Sequence, residues 1–191
     1  MLILGLSGFA ASGKTEIANY LKEKYSFTIL EFSQVIEEEA KRMGLMKNNL
    51  SLEEKKRVLS EVGAIIRKKY NDEAIFARFL VKKIMEENTE RVVVTGFRSR
   101  YEVEVFKDAF KENFYLVWVE TDVRLRYERR KLQDPNFNLS FEEFLERDEN
   151  DSKRLGLDKI KDMANFFIEN NSTLDDLKKK VDDFIDKILL K

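Results

Sequence analysis

The chain has 191 residues, 43% of them hydrophobic and 37% charged, with 35 Lys+Arg against 36 Asp+Glu. That length suits one compact domain with a sizeable core, and charges so nearly cancelled make no case for a polyanion partner such as nucleic acid. No Cys and no His exclude disulfides, thiolate nucleophiles, Fe–S clusters, Ser-His-Asp triads and His- or Cys-bound metals.

What remains is carboxylates, Lys, Arg, hydroxyls, backbone amides and a borrowed metal ion. Such an inventory suits phosphoryl transfer, which depends mostly on positioning and charge neutralisation. The apolar start, Met1 to Leu6, has no basic leader and is far too short for a bilayer, so a cytoplasmic protein without a membrane partner is expected.

Leu2-Ile3-Leu4-Gly5-Leu6 reads as a buried strand that stops at Ser7-Gly8. A helix follows over 14–25 with Ile17, Ala18 and Leu21 on one face, then a strand at Phe27-Thr28-Ile29-Leu30 and a charged helix over 33–43. Ser51 and Glu54 form a capping-box signature for a helix of about twenty residues, its inward face carrying Val58, Val62, Ile65 and Ile66. Asp72 is placed to cap the next helix, which runs to Glu87 with Ile75, Phe79 and Ile84 apolar.

Arg91-Val92-Val93-Val94-Thr95 is the most β-like run. After it come a helix over 99–112, a strand at Phe114-Tyr115-Leu116-Val117-Trp118-Val119 and a very basic helix over 122–132. Residues 133–140 hold the one Pro and read as a mobile loop. A helix over 141–150, a strand at Ala164-Asn165-Phe166-Phe167-Ile168 and a closing helix over 173–190 complete the chain.

Strands separated by helices predict an α/β, three-layer fold around a five-stranded, mostly parallel sheet. The helical insertion over about 33–88 exceeds a single crossover and should stand beside the sheet.

Gly8-Phe9-Ala10-Ala11-Ser12-Gly13-Lys14-Thr15 matches G-x-x-x-x-G-K-[ST] between a strand and a helix, the context this phosphate-binding loop requires. Gly8 and Gly13 permit backbone angles that aim successive N–H groups inward, and the helix dipole adds to that anion nest. Lys14 is placed to reach the β- and γ-phosphates of ATP, and the Thr15 hydroxyl to ligand Mg²⁺. No N/T-K-x-D guanine signature appears, and the chain is too short for a separate AAA lid domain. The large insertion and the late basic segment fit a small-molecule kinase.

In this layout the chain resembles the nucleoside monophosphate kinase and dephospho-CoA kinase branch of P-loop kinases, and most of all the archaeal dephospho-CoA kinase-related proteins. The resemblance rests on the P-loop and on four later stretches. These are Val93-Val94-Thr95-Gly96-Phe97-Arg98-Ser99 with Glu102-Val103-Glu104-Val105-Phe106, then Arg126-Tyr127-Glu128-Arg129, Phe144-Leu145-Glu146-Arg147-Asp148, and Ala164-Asn165-Phe166 leading to Asn170.

The resemblance implies ATP- and Mg²⁺-dependent transfer of the γ-phosphoryl group to a small acceptor, dephospho-CoA or a nucleoside monophosphate. It implies phosphate binding by Arg98, and a closing lid over about 122–150 supplied by Arg126, Arg129 and Arg147. It also implies that Asn170 lies in the loop that holds adenine. Two departures stand out. Where the family pattern has an acid after the second strand and an Asp before the Gly that closes the third, this chain has Gln34 and Thr95. Glu31 and Glu37 are the candidate substitutes, and a nucleotide-binding sensor with little or no transfer activity is the alternative function. Oligomeric state is not legible.

Overall fold

The computed structural model describes residues 1–46 and 52–190. Its strands are β1 (Leu2–Ser7), β2 (Thr28–Glu31), β3 (Arg91–Thr95), β4 (Phe114–Glu120) and β5 (Phe166–Glu169). They form one sheet in the order β2-β3-β1-β4-β5, and every pairing is parallel. Its described helices are α1 (Lys14–Tyr25), α2 (Phe32–Arg42), α3 (Leu52–Tyr70), α4 (Ile75–Glu87), α5 (Arg100–Phe110), α6 (Val123–Gln133), α7 (Phe141–Leu155), α8 (Leu157–Asp162) and α9 (Leu174–Leu189).

Strand periodicity divides the core in two. Ile3, Val92, Val94, Leu116 and Trp118 point to one face, where they join Phe76 and Ile84 of α4, Val103 and Phe106 of α5, and Ile160 of α8. The residues between them, Leu4, Leu6, Val93, Val117 and Val119, point to the other face and meet Ile17 and Leu21 of α1 with Leu177, Val181 and Phe184 of α9. Strands covered on both faces read as continuous apolar runs rather than alternating ones. Trp118 is fully buried, and its truncation to Ala would cost about 3–5 kcal/mol.

The insertion between β2 and β3 is α2, α3 and α4, held by contacts of α2 with both α3 and α4. Three sequence expectations differ from the structure, and one falls on residues it does not describe. Ile65 is 48% exposed rather than inward, because α3 lies over its neighbours along the narrower line of Val62 and Ile66. Asp72 does not cap α4. Its carboxylate accepts the Ala74 amide at 2.9 Å and pairs with Arg78, and this extra turn delays the helix to Ile75. The helix expected over 141–150 runs on to Leu155, and α8 follows at once because Gly156, in the left-handed region, serves as C-cap of one and N-cap of the other. The Ser51 half of the capping box lies outside the described residues.

The sheet's carboxyl edge collects Ser7, Glu31, Thr95, Glu120 and Glu169, with Glu31 opposite Thr95 and Glu120 opposite Glu169. Ligands of open parallel sheets bind beyond this edge, and the loops that leave it carry the site.

Candidate active site

The loop from Gly8 to Gly13 joins β1 to α1 through three residues at positive φ: Gly8 at 146°, Ala11 at 59° and Gly13 at 99°. Neither glycine has room for a side chain. A Cβ on Gly8 would lie 2.6 Å from the Val119 carbonyl, and one on Gly13 would lie 2.2 Å from Asn170 Nδ2. Beneath the loop the buried Ser12 carbonyl accepts two side-chain donors, Thr121 Oγ1 at 2.9 Å and Asn170 Nδ2 at 2.8 Å. The loop is therefore braced from β4 and from the end of β5. Its open side is left to a ligand, as a backbone anion nest requires.

Lys14 opens α1 with its side chain folded back. Its ammonium donates to the carbonyls of Gly8 at 2.9 Å and Phe9 at 2.7 Å and to Ser12 Oγ at 3.2 Å. Burial first, then the positive charges of Arg126 and Arg98, push it down to about 8, and Asp148 acts in the opposite direction. Thr15, next on α1, is exposed. Among the described residues no group of three or more acids stands as a ready metal cage, so any Mg²⁺ would rest on Thr15 and on phosphate oxygens. The nest, the ammonium and that hydroxyl suit a nucleotide polyphosphate with such an ion.

Arg98, just past β3, has an exposed side chain whose charge is felt at Lys14. Its backbone is rigid. The Glu102 carboxylate accepts the amides of Arg98 at 2.7 Å and Ser99 at 3.2 Å, and Ser99 Oγ accepts the Glu102 amide in return. Glu102 is only 2% exposed. Burial pushes its carboxyl above the usual range, against those two amides and Arg67 of α3.

The two arginines of α6 differ. Arg126 is buried and fully engaged. Nε donates to the Thr121 carbonyl at 3.2 Å, Nη1 to the Ala10 carbonyl of the P-loop at 3.4 Å, and Nη2 to Asp148 of α7. Its guanidinium lies over the rings of Phe9, at 4.9 Å, and Phe144, at 5.5 Å. Arg129 donates from Nη2 to Asn170 Oδ1 at 3.3 Å, while its buried Nη1 has no partner among the described residues. Burial lowers its pKa. Arg147 points to solvent.

Asn170 lies under the P-loop, bonded to Ser12 and Arg129 and buried. The substitute acids do not gather at the loop. Glu37 is held by Lys41 and Lys55, which keep its carboxyl below the usual range, and Glu31 accepts the Ser33 hydroxyl. Two residues of the site went unread in the sequence: Thr121 had no motif, and Asp148 was quoted only beside Arg147. The TD at 121–122, where β4 gives way to a capped helix, was the available signal for the first.

A family model described as an AAA domain matches residues 7–137, the stretch from the P-loop through α6. The UPF0200 proteins of Thermococcus kodakarensis and Saccharolobus solfataricus are each 29% identical, over 100% of both chains in the first case and over 98% of this chain and 94% of the relative in the second. A UPF0200/UPF0201 protein of Archaeoglobus fulgidus is 30% identical over 95% of this chain, which spans only 54% of that relative's length.

Among solved structures, the shikimate kinase of Acinetobacter baumannii superposes with a TM-score of 0.61 at 19% identity, covering 100% of this chain and 96% of that one. A gluconokinase of Sinorhizobium meliloti superposes at 0.52 and 11% identity, covering 94% and 89%. At such identities the likeness is one of fold: a five-stranded parallel sheet flanked by helices, as in P-loop kinases. No described helix is long and apolar enough to cross a membrane. The AAA label stands beside an expectation, drawn from chain length, that argued against AAA-type ATPases with a separate lid domain, and the match covers the nucleotide-loop core common to both. By that match, over more than half its length, the chain belongs to the AAA domain family.

Proposed function

We propose that the protein transfers the γ-phosphoryl group of ATP to a small acceptor. The observation that carries this reading is one cluster: a glycine-shaped anion nest with a folded-back Lys14, and Arg98 and Arg126 close enough to depress that lysine. Positive charge gathered around a backbone anion nest at a helix N-terminus suits a polyanionic ligand such as a nucleotide phosphate chain.

In the transfer, the acceptor oxygen forms a bond to the γ-phosphorus as the bond from that phosphorus to the β–γ bridging oxygen breaks. ADP leaves, and the acceptor's proton goes to solvent or to a nearby carboxylate. Lys14 gives up its hydrogen bonds to the Gly8 and Phe9 carbonyls and takes phosphate oxygens, the Gly8–Gly13 amides hold the chain of phosphates, and Arg98 clamps the transferring group. Mg²⁺, held by Thr15 when bound, supplies charge neutralisation on the phosphates. Residues 122–150 act as the lid, with Arg129 turning its unbonded nitrogen to the nucleotide.

By the resemblance of its motifs the acceptor is nucleotide-like, dephospho-CoA or a nucleoside monophosphate, and the protein works in the cytoplasm. A panel of acceptors with ATP and Mg²⁺ tests this. One acceptor should give product, and Lys14→Ala should slow that turnover by about a hundredfold or more. Turnover unchanged by Lys14→Ala would sink the reading. A second reading, a nucleotide sensor without transfer, is favoured by Gln34 and Thr95 at the two acid positions and by the engagement of Glu37 with two lysines. Tight binding of an ATP analogue with no product from any acceptor would select it.

A further inference from the structure

Asp148 is the one carboxylate among the charges that act on Lys14, and it reaches the P-loop from α7, far along the chain. It does so through Arg126. The guanidinium spends Nε and Nη1 on two backbone carbonyls, Thr121 and Ala10, and lies over the rings of Phe9 and Phe144. Only Nη2 meets an opposite charge, that of Asp148. Both side chains are largely hidden, 5% and 13% exposed, so the pair is poorly screened and its charges nearly cancel.

The pair sits at a definite end of the loop. Lys14, the residue that meets the β- and γ-phosphates in such loops, rests its ammonium on Gly8 and Phe9, and Arg126 touches the next residue, Ala10. A phosphate held by Lys14 therefore lies beside the point where Asp148 already neutralises Arg126. Beside Asp148 a cavity of about 370 Å³, lined by Phe9, Leu145, Ser152 and Lys153 among others, leaves the carboxylate room to withdraw.

We propose that Asp148 is a positioning and specificity residue for nucleotide. It is the resident counter-ion of Arg126, exchanged for the γ-phosphate, so that the site tells ATP from ADP by whether the ligand can take Arg126 from Asp148. This rests on the nucleotide-binding half of the function proposed above and not on phosphoryl transfer. A diphosphate fills the inner nest and leaves the Arg126–Asp148 pair intact. A triphosphate brings a competing dianion to Nη2, and the bonds to the Thr121 and Ala10 carbonyls keep the guanidinium in place while its partner changes.

Binding of a non-hydrolysable ATP analogue and of ADP, measured by calorimetry for the wild type, Asp148→Asn and Asp148→Glu, tests the exchange. Asp148→Asn keeps the shape and removes the competing charge. It should strengthen the analogue by about threefold or more, the Coulomb effect of removing a poorly screened competing charge, and leave ADP within about twofold. Asp148→Glu should restore the wild-type ratio. Equal weakening of both ligands would reduce Asp148 to a structural strut and overturn the proposal, as would a ratio that does not move.

Should Asp148→Asn fail to fold, the wild-type protein still decides. The Arg126 Nε–H resonance should shift with the analogue and stay with ADP, and no selective shift would refute the exchange. The transfer reading stands or falls separately, on product formation from the acceptor panel. Absence of any nucleotide binding would end both.

Discussion

The P-loop and the α6–α7 hairpin meet over Ala10 and hold charge in opposite ways. The loop is built from backbone: positive φ at three positions, a braced Ser12 carbonyl, and a lysine that satisfies its ammonium on its own loop's carbonyls. Lys14 forms no ion pair among the described residues, so its positive charge stays available. The hairpin is built from side chains, with Tyr127, Phe137, Phe141 and Phe144 in mutual edge contact and Arg126 sealed among aromatic rings, carbonyls and Asp148. Its charge is spent before any ligand arrives. Basic residues near a phosphate site are thus not equivalent. The useful question is what each cation already holds.

The largest test of that contrast is Arg126→Ala. Removing one member of a hidden ion pair leaves Asp148 without its partner and opens space between Phe9 and Phe144, so stability should fall by about 3–5 kcal/mol, measured by denaturant unfolding. A loss below about 1 kcal/mol would mean that the hairpin's charge is not sealed as described.

Gly13→Ala attacks the other side. The residue is held at φ 99° and its new Cβ would displace Asn170. Backbone strain and lost hydrogen bonds together should cost about 2–4 kcal/mol, and nucleotide binding should be lost with it. A variant that retains both stability and binding would show that the nest tolerates a side chain.

Lys14 supplies the pH test. Its folded pKa, about 8 against an ordinary 10.5, is lowered, so the unfolded chain binds more protons between those values. The nucleotide-free protein should therefore gain stability from this group as pH rises from 8 to 10.5, and lose it as pH falls back through 8. Phosphate binding has the opposite sign, because it needs the ammonium. Affinity for an ATP analogue should fall by about tenfold per pH unit above 8, with uptake of one proton on binding. Calorimetry in buffers of different ionisation enthalpy measures both, and Lys14→Met should abolish the slope.

Arg98→Ala should produce the smallest stability change. The side chain is exposed and the turn is held by Glu102 acting on backbone amides, so unfolding should shift by no more than about 0.5 kcal/mol while transfer slows. A large loss of stability would place Arg98 with the sealed cations instead of the available ones.

What could be read from the sequence was what depends on near neighbours. The P-loop was legible because glycine spacing, lysine and hydroxyl lie within eight residues and each has a local reason. The five strands were legible because apolar runs such as Val92-Val93-Val94 leave a buried parallel strand as the simplest structure. The extension of α7 into α8 was not, since one glycine serves two helices and either boundary taken alone reads as a plain stop.

The partnerships of the charged residues were decided only in three dimensions. Nothing in the basic run over 124–131 says that Arg126 is buried on Asp148 while Arg129 keeps a nitrogen unbonded, because the deciding neighbours, Phe9, Ala10, Phe144 and Asn170, come from three other parts of the chain. Nor does the sequence near Glu37 say that Lys55, on the next helix of the same insertion, will take its charge. Helical periodicity tells which face of α6 is inward. Coulomb energy depends on the distance and burial of groups far apart in sequence, and only the packed sheet with its hairpin sets those.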